Sequence, residues 1–351
     1  MKQTLWRVSL AFMIAGLGLT NFSPTAAAVD ANENFNIVTS PLPIKLNTNP
    51  GTVVKAELRV KNQGINPEVL KVGLMKFGAT GELGQPNLFD ITEKDEYAKW
   101  VSFSPAQFTA EPNVWNTVTM TIDVPEGASL GYYLAVTFSR ASQATSKATT
   151  VKGSVATLVL LNVDSANAKR DIKLVEFATD RRLYEYLPAN FTVKLRNKGN
   201  VYIAPVGNIF ITRGDKPVTT ITFNEVGGSV LPDSNRVYRL PWDSGFPRFE
   251  DRLVNGKPVP DKGSESKKDL KFNFSDSSKL RFGKYTAKLL VVYDDGKRDV
   301  PIESTLSFWV IPWKAMAGAI LIILVLGYGV WMLVRNVFKK AQGGIRGRRK
   351  K

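Results

Sequence analysis

Apolar residues in this chain recur at every second position, and that period restricts the fold more than any other feature. From Thr117 to Val124, Val118, Met120, Ile122 and Val124 alternate with Thr117, Thr119, Thr121 and Asp123. Val54, Ala56, Leu58 and Val60 alternate with Lys55, Glu57, Arg59 and Lys61 in the same manner. A period of two sends one set of side chains to a core and the other to water, the pattern of a half-buried strand. No long amphipathic helical pattern interrupts it before residue 312, so the body of the chain is all-β.

The second half repeats the grammar of the first. AELRVKNQG (Ala56 to Gly64) corresponds to FTVKLRNKG (Phe191 to Gly199), matching Asn62 with Asn197 and Gly64 with Gly199. GYYLAVTF (Gly131 to Phe138) corresponds to GKYTAKLLVVY (Gly283 to Tyr293), matching Gly131 with Gly283, Tyr133 with Tyr285 and Ala135 with Ala287. Both units close on an apolar strand, near Val155 to Val163 and near Glu303 to Ile311. Short strands punctuated by Gly, Pro and Asn predict two tandem immunoglobulin-like β-sandwiches, residues 29–163 and 170–312. The polar run 164–169 joins them as a linker. Residues Ala141 to Thr150 form a loop, and the long polar insertion 243–279 contains Asn255-Gly256, a hairpin signal suited to an added ribbon.

Both chain ends carry membrane signals. Ala315 to Val334 is an uncharged apolar run of the length a helix needs to cross a hydrocarbon core, which places a transmembrane helix at 313–334. Trp309, Trp313 and Trp331, with Tyr328, fall near its ends, where aromatic rings favour the interface. The tail 335–351 holds Arg335, Lys339, Lys340, Arg346, Arg348, Arg349, Lys350 and Lys351 and no acid. Positive charge beside a spanning helix stays cytoplasmic, so the sandwiches are expected outside the plasma membrane, in a single-pass arrangement. At the other end Lys2 and Arg7 precede an apolar run, Val8 to Leu19, and Ala26-Ala27-Ala28 suits a signal peptidase, giving a signal peptide over 1–28. An uncleaved N-terminal anchor is the alternative.

These segments change how the charge is read. Of the net +16, two units belong to Lys2 and Arg7 and nine to the segment from Lys314 onward, leaving +5 outside the membrane. The excess is a membrane tail rather than a basic face, so no nucleic acid partner is expected. Cys and His are both absent. Without them there is no disulfide, thiolate nucleophile or Ser-His-Asp relay, and no cofactor or metal site is expected. A chain that must hold exported domains by core burial alone suits a bacterial surface.

Few residues stand out chemically. Trp100 and Trp242 are read as core, whereas Trp115, after the turn-like run Glu111 to Val114, fits either a core or an exposed stacking platform. In the strand after Gly131, the positions matching the outward Lys284, Thr286 and Lys288 become Tyr132, Leu134 and Val136. That strand is apolar on both faces, so a loop, the neighbouring domain or a partner must cover the second one. Trp115, Tyr132, Leu134 and Val136 together make the candidate binding surface. Asp294-Asp295-Gly296 is read as a hairpin turn rather than a cation site.

The order of signal, two immunoglobulin-like domains, membrane helix and basic tail resembles the WxL-interacting proteins of Gram-positive bacterial surfaces. So do Asn49-Pro50-Gly51 before the strand ending at Asn62, VPEGASLGYYLAVTF (Val124 to Phe138), VLPDSNRVYRLPW (Val230 to Trp242) and GKYTAKL (Gly283 to Leu289). The resemblance implies a non-enzymatic surface protein that binds peptidoglycan or another surface protein, and it transfers no individual residues. The expected function is a membrane-anchored binding or scaffold protein for cell-wall glycan or surface proteins. Two rivals stand beside it: a membrane-bound assembly chaperone that lends a strand edge to secreted subunits, and a carboxylate-dependent glycoside hydrolase, for which no Asp/Glu pair is marked.

Overall fold

Alternation becomes burial strand by strand. The computed structural model describes residues 35–141, 154–254, 256–259 and 266–347. The expected signal peptide, most of the loop Ala141 to Thr150, Asn255 and the cations Arg348 to Lys351 lie outside the described residues, as do the side chains of Lys339, Lys340 and Arg346.

The first sandwich contains β1 (Ile37–Ser40), β2 (Ile44–Thr48), β3 (Val53–Asn62), β4 (Glu68–Thr80), β5 (Gln85–Phe89), β6 (Val101–Ser104), β7 (Gln107–Ala110), β8 (Trp115–Asp123), β9 (Leu130–Arg140) and β10 (Ser154–Val163). One sheet has the order β1-β3-β8-β6 and the other β2-β10-β9-β4-β5, with β7 also on β4. Leu58, Val60, Val118, Met120 and Ile122 from the first sheet meet Leu134, Val136, Phe138, Val159 and Leu161 from the second, all at most 1% exposed. The second sandwich contains β11 (Ile172–Thr179), β12 (Leu183–Tyr184), β13 (Ala189–Asn197), β14 (Val206–Arg213), β15 (Lys216–Phe223) and β16 (Asn235–Trp242). After an insertion with β17 (Arg248–Asp251), β18 (Leu253–Val254), β19 (Lys257–Pro258) and β20 (Lys268–Lys271) it closes with β21 (Gly283–Asp294) and β22 (Asp299–Val310). Its sheets are β11-β13-β16 and β12-β22-β21-β14-β15, so the chain is the expected pair of immunoglobulin-like sandwiches. Phe308 sits at the centre of the second core, with the rings of Phe191, Trp242, Tyr184 and Tyr285 all within 5.9 Å of it.

The repeated Asn-x-Gly has one structural use. Asn62 donates from Nδ2 to the carbonyls of Ala110 and Asn66 and accepts from Gly64 N. Asn197 donates to Val201 and Val230 and accepts from Gly199 N. Each side chain closes a turn and ties it to a distant backbone carbonyl of the same sandwich, at 1% and 0% exposure. The Asp294-Asp295-Gly296 run is the expected turn between β21 and β22, its carboxylates accepting from Gly296 N, Lys297 N and Arg298 N.

The second repeat is displaced by one residue from the match drawn on sequence. Tyr285 Oη accepts from Phe282 N, and the hydroxyl doing the same in the first sandwich is that of Tyr132, from Ser129 N. Leu130 (φ 78°) therefore takes the place of Gly283 (φ 109°). A one-residue shift exchanges the faces of a strand. Tyr132, Leu134 and Val136 turn inward to the first core, and Tyr133 and Ala135 form the outer face.

That outer face is covered by the second sandwich. Met75, Phe77, Leu88, Tyr133, Ala135, Ala156, Leu158 and Leu160 pack with Tyr202 and Leu231. Tyr133 lies edge-on to Phe77 at 5.9 Å and to Tyr202 at 6.4 Å. The tip of the β4–β5 hairpin also reaches across. Glu82 Oε1 is 2.6 Å from Lys194 Nζ and accepts from Asn235 Nδ2, and Val237 N donates to Glu82 O at 2.6 Å. Between β10 and β11, Arg170 pairs with Asp164 at 2.9 Å.

Beyond β22 the chain enters α1 (Trp313–Gly347) after two residues. Its Trp313–Asn336 portion has a mean hydropathy of 2.4, has none of its apolar window buried by the rest of the chain, and spans about 36 Å, enough to cross a bilayer.

Two outcomes follow. Asn197→Ala leaves the Val201 carbonyl and the Gly199 amide of a buried turn without the side-chain partner they have, and takes one of two donors from Val230 O, so denaturant unfolding should register a loss of about 3 kcal/mol in the second sandwich. Donors on Lys194 and Asn235 hold the Glu82 carboxyl below its usual value. A depressed carboxylate contributes stability above its unfolded value, about 4.3, and loses it as pH falls through the folded value. Hydrogen exchange at the Val237 amide should therefore accelerate in acid, relative to core amides such as Val193, and Glu82→Gln should flatten that dependence.

Candidate binding cleft between the two sandwiches

Docking the sandwiches over the β9–β10 face leaves part of that face uncovered. The opening is a cavity of about 370 Å³, floored by Phe77, Leu158, Leu160 and Leu231 and walled by Leu42, Pro43 and the Val226 to Ser229 loop. Its apolar floor is the surplus of a strand apolar on both faces. In β10, Val155, Thr157, Val159 and Leu161 face the first core, while Ala156, Leu158 and Leu160 face the second sandwich.

Two cations stand at this opening without an acid. Lys45 on β2 donates from Nζ to Gly227 O across the domain boundary. Arg236 on β16 lines the cavity, donates from Nη1 to Ser229 O at 2.7 Å and lies over the Tyr238 ring at 5.3 Å. Among the described residues neither forms a salt bridge. Burial and, after it, the neighbouring Arg236 charge lower the Lys45 ammonium from its ordinary value. A cation pair of this kind favours an anionic group between or beside its members.

Glycine makes room for the guanidinium. A Cβ on Gly84, at the β4–β5 turn with φ +72°, would lie 2.5 Å from Arg236 Cζ. A Cβ on Gly228 would lie 2.5 Å from Arg236 Nη2. The two domains thus each place a glycine against Arg236. Ser229 Oγ and Asn235 Oδ1, from residues that also line the cavity, are buried and have no hydrogen-bond partner among the described residues.

Backbone groups border the same opening. β2 pairs with β10 only at Val159 to Val163, so no described strand lies along the outer edge of Ser154 to Leu158. Other sheet edges are shorter or guarded: β6 has four residues, β5 carries Pro86, and β15 begins Lys216-Pro217. Lysine, proline and brevity are the usual protections of an edge. The five-residue β10 segment carries neither lysine nor proline.

The surface expected from sequence is not assembled. Leu134 and Val136 are 1% and 0% exposed in the first core, and Tyr132 packs against Trp100 and Tyr97 at 5.0 and 5.3 Å. They are core residues, because the face assignment was reversed by the one-residue shift. Trp115 is 40% exposed at the start of β8, with Arg59 Cζ 4.9 Å over its ring, and stands apart from them. Trp242 is core at 2% exposure. Trp309, Trp313 and Trp331 are exposed at the helix entry and near its far end, where Lys314 and Arg335 lie over the Trp313 and Trp331 rings at 5.5 and 5.3 Å. Sequence reasoning missed Lys45, Gly84, Arg236 and the β10 edge. The one available signal was the run Val155 to Val163, apolar on both faces just as β9 is.

No protein-family profile matches the chain, and no curated protein matches it by sequence. Solved structures with a similar fold exist at low similarity. The class 5 fimbriae chaperone CfaA is 15% identical with a TM-score of 0.34, over 79% of this chain and 100% of that one. The CsuC–CsuE chaperone–tip adhesion subunit pre-assembly complex of Acinetobacter baumannii gives 10% identity and a TM-score of 0.34, over 76% of this chain and 97% of its own. The Pseudomonas aeruginosa CupB2 chaperone gives 10% and 0.31, over 78% and 100%.

Proposed function

We propose that the chain is a membrane-anchored, non-enzymatic protein that holds an extended segment of another exported protein against the β10 edge, with an anionic group of that segment at Lys45 and Arg236. This is the assembly-chaperone reading, and one observation carries it: a strand edge, Ser154 to Leu158, with no described strand along it lies beside an apolar cleft whose cations meet no acid among the described residues. Strand addition supplies main-chain hydrogen bonds, while the Leu158 and Leu160 pocket selects alternate side chains. The resemblance to WxL-interacting proteins points to the same broad class, a surface protein that binds other proteins. The wall-glycan reading has less support. Its Trp115 ring is shared with Arg59, and the residues meant to flank it are core.

The anchor and the basic tail complete the proposal. In this reading Arg335 to Lys351 stay on the cytoplasmic side, as positive charge beside a spanning helix favours, and both sandwiches lie outside the membrane. Anchoring raises the effective concentration of a partner emerging nearby, so each contact need not be tight.

A photo-cross-linking amino acid at Ser154 should trap an extended segment of an exported partner in intact cells, and Lys45→Glu with Arg236→Glu should abolish the product while both sandwiches still unfold cooperatively. Cross-linking from position 115 with none from 154 would favour the glycan or scaffold reading. Protease added outside cells stripped of wall should remove the sandwiches and leave a fragment containing Arg335 to Lys351. Full protection would reverse the topology.

A further inference from the structure

The insertion after β16 sits at the end of the second sandwich from which the helix leaves. Gly283 pairs with Val310, and the helix begins at Trp313. At about 3.3 Å per strand residue, Phe282 lies within about 10 Å of the helix start. The preceding segment is tied to the same end: Phe246 N donates to Lys279 O at 3.0 Å, and Arg281 Nε to Ser244 O at 2.9 Å. The β17–β20 ribbon is tied there as well, through Phe249 N to Leu187 O at 2.7 Å and the Tyr186–Phe249 ring contact. Next to Tyr186, Glu185 holds Lys314 of the first helical turn at 2.8 Å.

This end is unusually apolar for a surface. Phe272, Phe274, Leu280 and Phe282 are 57%, 75%, 58% and 41% exposed, beside Trp309 and Trp313 at 46% and 54%. The rings of Phe272 and Phe274 gather on Phe246, at 6.2 and 5.5 Å. A soluble surface rarely carries so many exposed aromatics together. Between Lys267 and Lys284 the chain has six cations (Lys267, Lys268, Lys271, Lys279, Arg281, Lys284) against two acids, Asp269 and Asp276.

We infer that the insertion is a second membrane contact: Phe272, Phe274, Leu280 and Phe282 enter the lipid interface around the helix, with the neighbouring cations at the headgroups. The inference rests on the spanning reading of α1. Continuity carries it, because a helix entering the bilayer two residues after β22 brings this end to the headgroup layer. Aromatic side chains with flanking cations are the composition that lies in that layer. The second sandwich is then seated on the bilayer at two places rather than pivoting on one.

The chain has no cysteine, so single labels are unambiguous. Full-length protein carrying one fluorophore, at Phe274→Cys or Leu280→Cys, is reconstituted into vesicles of phosphatidylcholine and phosphatidylglycerol. Quenching by nitroxide lipids is compared with quenching by aqueous iodide. Val325→Cys reports the helix and Ile65→Cys the distal sandwich. The inference predicts lipid quenching and loss of most iodide quenching at 274 and 280, as at 325, with the reverse at 65. Iodide quenching at both 274 and 280 with lipid quenching at 325 would overturn the inference and leave the span intact. Iodide quenching at 325 as well would overturn the span itself.

Discussion

The first sandwich has more apolar surface than it can bury alone. β9 and β10 present side chains to the core on one face and Tyr133, Ala135, Ala156, Leu158 and Leu160 on the other. Exposing that second face to water costs about 25 cal/mol per Å², so the second sandwich is held over it. The Glu82 hairpin tip and the Arg170–Asp164 pair then fix the approach. Everything else of interest follows from incomplete coverage: the cleft, the apolar floor at Leu158 and Leu160, and the placing of Arg236 against two glycines from different domains.

Much of the fold was legible because it is written locally. Alternation at Thr117 to Val124 becomes buried Val118, Met120 and Ile122, and the paired Asn62 and Asn197 become equivalent turn locks. The face of β9 was misread for an equally local reason. Gly131 looks like Gly283, yet the residue with positive φ at the Gly283 position is Leu130, a bulky side chain in a conformation that glycine usually takes. The tyrosine hydroxyl, not the glycine, marks the register.

The cleft was not legible, because its parts are far apart in the chain and individually bland. Lys45 in a strand is an ordinary solvated cation, and Gly84 an ordinary turn residue. Only the docking of one sandwich on the other brings them to Arg236, and no periodicity encodes that docking. Trp115, the one candidate that sequence left open, is exposed, but exposure by itself gives it no neighbours with which to build a site.

The junction between β22 and the helix has a mechanical meaning. There is no flexible tether: Ile311 N is bonded to Tyr184 O, Trp313 N to Ile311 O, and Lys314 to Glu185. A pull on a segment held at the first sandwich would reach the helix through β22, which runs antiparallel to β21 over twelve paired positions from Gly283–Val310 to Asp294–Asp299. Load along such a strand strains the ladder in shear, so many hydrogen bonds must give way together instead of peeling one at a time. The second sandwich is therefore built to pass load along β22 into the helix with little slack.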